Sequence, residues 1–180
     1  QALKIGYFAQ HQVEQLRADE TPLWHLVRLE PAAREQELRN FLGGFDFRGD
    51  MVSAPVGRFS GGEKARLTLA LLVRQRPNLL ILDEPTNHLD IESTEWLEGF
   101  LRQFHGAVVV VSHDRAFLDE TVDNTLHVHG NTATPYAGGF EPFGAVFPTR
   151  GEGLEGTQVA TAGIIGVWER IALTLLASFG

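Results

Sequence analysis

Two adjacent carboxylates, Asp83 and Glu84, end the uninterrupted apolar run Leu79-Leu80-Ile81-Leu82, and Pro85 then stops it. Charges in such a place cost free energy unless a cation or a proton transfer makes use of them. Asp83, at the end of a strand, is suited to holding Mg2+ through water. Glu84, one residue on, is suited to orienting and deprotonating an attacking water. The plainer reading is a strand end followed by a solvated acidic turn. A second candidate is Ser60-Gly61-Gly62-Glu63. A helix start preceded by glycines exposes free backbone N–H groups and carries partial positive charge, which favours a phosphate. The plainer reading of that stretch is a good helix cap. His113 follows the run Val108 to Ser112 and is placed to donate to a terminal phosphate; a lone histidine otherwise serves structure.

These residues need elements to hold them. The tetrad Leu79–Leu82 is too short for a helix and suits a strand buried on both faces, the usual condition in a parallel sheet. Ligands of such sheets bind beyond the carboxyl ends of the strands, where Asp83 and Glu84 stand. Ala107 to Ser112 reads as a second buried strand, β-branched through its centre. Leu3 to Phe8 reads as a short strand ending at Ala9-Gln10, and Thr125 to His129 as an alternating one. Ser60 with Glu63 three residues on is the capping-box pattern, opening a helix that Arg74 and Arg76 end and Pro77 stops. Asp90 caps a helix running through Phe104, with Gly106 closing it, and Phe117-Leu118 marks a shorter one. From His11 to Asp50 the chain turns largely helical. Pro22 fits a first helical position, and Pro31 opens a second helix that Gly43-Gly44 ends. Phe45 to Asp50 reads as a turn with two aromatic anchors. Strand, helix, strand, helix is a parallel α/β layout, here with a helical insertion.

The composition is that of one ordinary folded domain: 180 residues, 43% hydrophobic and 21% charged. The net charge of −8 argues against a surface that itself attracts nucleic acid, while leaving open a nucleoprotein partner reached through other parts. No cysteine is present, so disulfides and thiolate metal sites are excluded and a reducing compartment fits. The chain opens at Gln1 and its only methionine is Met51, which leads to the expectation of a piece of a longer protein. Tyr136 to Phe143 reads as a turn, and the chain is Gly-rich and unpatterned from Gly144 to Val159. Val159 to Phe179 approaches membrane-span length, but Glu169 and Arg170 near its middle would cost about 2.5–3.5 kcal/mol each in a bilayer. An ill-packed or partner-dependent helix is expected there.

Taken together, Gln10, Ser60-Gly61-Gly62-Glu63, Leu79 to Glu84, Leu89-Asp90 and His113 occur in the order and spacing of an ATP-binding-cassette (ABC) nucleotide-binding domain. They resemble its Q-loop, signature, Walker B, D-loop and switch histidine. Phe59 to Glu63, with Glu84-Pro85-Thr86-Asn87-His88-Leu89-Asp90, is similar to the ABC-F branch, in particular the second cassette of the YheS type. Transporter cassettes more often carry Gln after the signature glycines and Ser-Ala where Asn87-His88 stand. The resemblance covers about 1–143 and implies a partial P-loop NTPase fold, α/β with a parallel sheet core and a helical subdomain at about 12–76. The tail, 144–180, does not resemble the family.

The resemblance implies roles for single residues. Gln10 would touch Mg2+ and the attacking water, Asp83 would hold Mg2+, Glu84 would be the catalytic base, and His113 would contact the γ-phosphate. Ser60, Gly61, Gly62 and Glu63 would close on ATP bound to a second cassette of the same protein, facing head to tail. Asp90 would couple the two sites. A cytoplasmic ATPase acting on ribosomes, without membrane insertion, is what the ABC-F branch implies. The pattern departs from the family at one point: a phosphate loop needs Gly-x-x-x-x-Gly-Lys-Ser/Thr after a strand. The chain's two lysines, Lys4 and Lys64, lie in neither such context. The Walker A loop is therefore expected to precede Gln1, and the chain alone is expected to bind ATP weakly. The competing readings are the ATPase subunit of a membrane transporter and a non-catalytic remnant acting as an interaction module.

Overall fold

The computed structural model describes residues 2–87, 89–129, 132–138, 160–164 and 174–175. Three short strands, β1 (Ile5–Ala9), β2 (Leu79–Asp83) and β3 (Ala107–Val111), form a parallel sheet in that order. Their register is even: Ile5 pairs with Leu79 and Leu79 with Ala107, so Ala9, Asp83 and Val111 end level. The crossovers are helical, as parallel strands require. Between β1 and β2 run α1 (Gln10–Val13), α2 (Pro22–Leu29), α3 (Glu35–Gly44) and α4 (Gly61–Arg74), with two 3-10 turns, Gly49–Ser53 and Val56–Arg58. Beyond β2 come α5 (Ile91–Gln103), β3 and α6 (Arg115–Thr121). A second sheet joins β4 (Asn124–His129), β5 (Thr132–Ala137) and β7 (Thr174–Leu175).

Burial in β2 and β3 alternates. Leu80, Leu82, Val108 and Val110 are at most 2% exposed, whereas Leu79, Ile81 and Val109 are half-buried. The two-sided burial expected of the tetrad is thus only half realised. One face joins a single core with Leu67 and Leu69 of α4, Leu97 and Leu101 of α5, and Phe117 and Leu118 of α6. The opposite face carries Tyr7, 40% exposed, and is less completely covered.

Several expected boundaries move for local reasons. Pro31 lies in a turn in which Ala33 N donates to Glu30 O, and the helical ladder begins only where Leu38 N reaches Arg34 O. That start at Glu35 sets Leu38 and Leu42, both fully buried, on one face. Gly43-Gly44 does not supply the left-handed stop; Asp46 does, at φ 63°. Phe47 N donates to Leu42 O and Asp46 N to Gly43 O, the paired bonds of a Schellman cap. An aspartate tolerates that conformation better than most side chains. Here ion pairs from Arg48 (3.0 Å) and Arg66 (3.3 Å) hold its carboxylate. The α5 helix ends at Gln103 rather than Gly106. Gly106 serves a close pass instead: a Cβ there would lie 2.5 Å from the Phe104 ring and 3.1 Å from the Asn78 carbonyl.

The helical insertion is held by one basic side chain at its centre. Arg74 Nε donates to Glu30 Oε2 at 2.6 Å and Nη2 to Glu37 Oε1 at 2.6 Å, with the guanidinium 5.2 Å from the Phe41 ring. It joins the ends of α2, α3 and α4, and its hydrogen bond and charge hold the Glu37 carboxyl below its ordinary range.

The tail departs from expectation. Residues 160–164 form β6 (Ala160–Ile164), which pairs antiparallel with β3, and β7 follows; the expected helix over 159–179 is not formed in these segments. Pairing with β3 satisfies the backbone groups that its open edge would otherwise leave unpaired. Tyr136 and Ala137 belong to β5 rather than to a turn, and 139–143 lie outside the described residues. Among the described residues no helix is long and apolar enough to cross a membrane.

Candidate functional site

Because β1, β2 and β3 end level, the residues just past them emerge side by side. Gln10 follows Ala9 as the first residue of α1, Glu84 follows Asp83, and Ser112-His113 follows Val111. Glu84 N donates to Val111 O at 2.8 Å, continuing the sheet pairing one step beyond the strand. There the backbone turns: Glu84 takes φ 46°, the left-handed region that a non-glycine residue enters at a cost. The turn aims the carboxylate across to the next strand end. Its Oε2 accepts from His113 N at 3.3 Å, and its Oε1 lies 3.2 Å from His113 Nε2. Oε1 is shielded from solvent and makes no well-aligned hydrogen bond, so the 3.2 Å approach is a close polar contact only.

Burial raises the Glu84 pKa above the ordinary glutamate range, the His113 charge and N–H pull it back down, and the nearby Asp83 carboxylate adds to the rise. A carboxylate with a raised pKa is a better proton acceptor than a solvated one, which suits a general base. Asp83 beside it is differently placed. Its Oδ2 accepts from the Tyr7 hydroxyl at 2.8 Å, and that bond raises the Tyr7 pKa. The other Asp83 oxygen remains for a cation. Among the described residues no three metal-binding side chains converge. One carboxylate with substrate phosphates is, however, a usual way to hold Mg2+, so the donor set fits that ion and not a protein-caged metal.

Ser60 caps α4 as expected. Its Oγ accepts from Glu63 N at 3.1 Å while Glu63 Oε2 accepts from Ser60 N at 2.7 Å. The Glu63 carboxylate is therefore turned back on the helix start rather than toward a ligand. Lys64 N donates to Ser60 O, so the Gly61 and Gly62 N–H groups head the helix beyond its ladder. A cleft of about 170 Å3 brings Gly61 and Glu84 together, with Glu14, Val13 and Asn87 on its walls. Replacing Ser60 by Ala is expected to lower stability by about 1 kcal/mol, read as a lower urea midpoint at unchanged slope.

Asp90 caps α5, its Oδ1 accepting from Ser93 N at 2.8 Å, and hydrogen bonding by the Ser93 side chain, then by its N–H, lowers the Asp90 pKa. Side-chain placement of Gln10 and the position of His88 lie outside what the structure describes. Sequence reasoning missed Tyr7, whose signal is its two-residue offset from Ala9, on the same face of a strand next to Asp83. It also missed Glu14, which no local pattern marks.

The family model described as ABC transporter matches residues 2–87. The probable ATP-binding protein YheS of Escherichia coli strain K12 is 57% identical over 141 residues, 78% of this chain and 22% of that protein. YheS of Haemophilus influenzae is 52% identical over the same length. ATP-binding cassette sub-family F member 3 of Homo sapiens is 40% identical over 144 residues, 80% of this chain and 20% of that protein. The chain thus spans about a fifth of the length of the curated relatives it matches. MJ0796, a bacterial ABC transporter cassette solved as a dimer, aligns with a TM-score of 0.59 over 75% of this chain and 63% of its own, at 20% identity. At that identity the likeness concerns the fold. By its identity to YheS and to sub-family F member 3 over most of its length, the chain is a segment of an ABC-F-type ATP-binding cassette.

Proposed function

We propose that this segment works within an ATPase of the ABC-F type, supplying the catalytic base and the signature surface of its nucleotide sites. The observation that carries the reading is the Glu84 carboxylate, half-buried, turned through a left-handed residue and set 3.2 Å from His113 Nε2 at the carboxyl edge of the sheet. In hydrolysis the oxygen of a water forms a bond to the γ-phosphorus of ATP, and the bond to the bridging oxygen breaks. ADP leaves with that electron pair. The proton of the water passes to Glu84, whose raised pKa favours its acceptance. Asp83 would hold Mg2+, which when bound offsets phosphate charge. His113 would donate to the γ-phosphate, and Gln10 would help orient the water. Ser60, Gly61 and Gly62, their start held by Glu63, would close on ATP of a second cassette, with Asp90 at the shared interface.

The phosphate cradle itself requires a Gly-rich loop and lysine that residues 1–180 do not contain. The purified chain is accordingly expected to bind Mg-ATP no more tightly than about millimolar. Isothermal titration checks this, and a low-micromolar constant would overturn the expectation. Identity to ATP-binding cassette sub-family F member 3 over most of the chain favours the ABC-F branch over a transporter subunit, and a cytoplasmic ATPase acting on ribosomes is what that branch would make of it. Co-sedimentation of the complete gene product with ribosomes in the presence of ATP tests that partner; a protein that stays in the supernatant would argue for the transporter or remnant alternative.

A further inference from the structure

The starts of α4 and α5 interlock at one point. A Cβ on Gly62 would lie 2.7 Å from Ser93 Cβ and closer still to Ser93 Oγ, while Asp90 Oδ1 would be 3.6 Å away. No real Cβ sits so near, so glycine is required at position 62 because Ser93 fills its place. Ser93 is 4% exposed and cannot swing into solvent. Its backbone N–H donates to Asp90 Oδ1 and its side chain hydrogen-bonds the same carboxylate, so the residue that abuts Gly62 is also the one that fixes Asp90. The Gly61-Gly62 amide surface and the Asp90 carboxylate are thereby set at one spacing by one side chain.

We propose that Ser93 is a positioning residue for ATP-driven closure. It holds the amide face at the start of α4 in fixed relation to Asp90, so that the two move as a single piece against the opposing nucleotide site. The functional part rests on the ATPase reading above; the interlock does not. Ser93 presents its Cβ and, nearer still, its Oγ to Gly62, so Ser93→Ala keeps part of the spacing and Ser93→Gly removes all of it.

The test has two arms. In the 1–180 chain labelled with 15N, Ser93→Gly is expected to shift the Gly61 and Gly62 amide signals clearly, and Ser93→Ala to shift them less. Gly62→Ala is expected to lower Tm sharply, and Ser93→Gly added to it to recover most of that loss, because the second change removes both atoms that the new methyl would strike. Independent Tm losses in the double variant, or amide signals equally affected by Ala and Gly, would overturn the interlock. In the complete gene product, Ser93→Gly is expected to lower kcat at least tenfold with KM for ATP within about twofold, and Ser93→Ala to lower kcat less. An unchanged kcat alongside a lowered Tm would reduce Ser93 to a packing residue and overturn the positioning role. If the unaltered gene product hydrolyses no ATP, the ATPase reading and the positioning role built on it both fail, while the amide and Tm results still decide the interlock.

Discussion

Glu84→Gln in the complete gene product is expected to lower ATP turnover by about 10²–10⁴-fold, the usual worth of a general base, with ATP binding retained. The amide has nearly the shape of the carboxylate and its oxygen still accepts from His113 N, so the site stays assembled while losing its proton acceptor. Steady-state phosphate release with nucleotide binding measured in parallel checks both halves. Turnover near that of the unaltered protein would remove Glu84 from the role. The same substitution carries a stability signature in the 1–180 chain. A folded-state pKa raised by burial means that the carboxyl contributes stability below the unfolded value, and that this contribution is lost as pH rises through the folded value. At neutral pH the ionised group therefore opposes folding, and Glu84→Gln should raise Tm there. Toward acid pH the gain should fade as the native carboxyl takes up its proton. A gain that is independent of pH would point to packing instead.

The second large effect concerns stability alone. Phe47→Ala is expected to cost about 3–5 kcal/mol, as for other large aromatic truncations in a core. Phe47 is 1% exposed, stacks on Phe59 with centroids 5.7 Å apart, and its N–H completes the cap of α3. The backbone bond survives truncation, so the loss belongs to packing and to the cavity left behind. Phe59 immediately precedes the Ser60 cap, so loosening Phe47 should also free the start of α4. Urea denaturation of the 1–180 chain measures the cost, and hydrogen exchange at the first turn of α4 reads the second effect. A loss below about 1 kcal/mol would place Phe47 outside the core.

What a single stretch of sequence can determine, it determined here. The Ser60–Glu63 capping box, the Asp90 cap and Pro22 at the first position of α2 each rest on interactions within a few residues, and the strands at Leu79–Asp83 and Ala107–Val111, though paired far along the chain, show in their apolar, β-branched runs. Motif order was enough to reach the family, because functional chemistry constrains residue type at fixed spacing. The tertiary structure decided the rest, since the partners are distant in the chain. Tyr7 meets Asp83 across 76 residues, Arg74 gathers Glu30 and Glu37 from two other helices, and Gly62 meets Ser93 from a different helix altogether. The glycines at 43 and 44 suggested a stop that the structure places at Asp46, where ion pairs from Arg48 and Arg66 hold the side chain. The apolar tail suggested a helix, but an open strand edge on β3 offered unpaired backbone groups, and β6 took them. Asp83 and Glu84 were visible as costly carboxylates from the first. Only the level ends of three strands separated them into one held by Tyr7 and one turned toward His113.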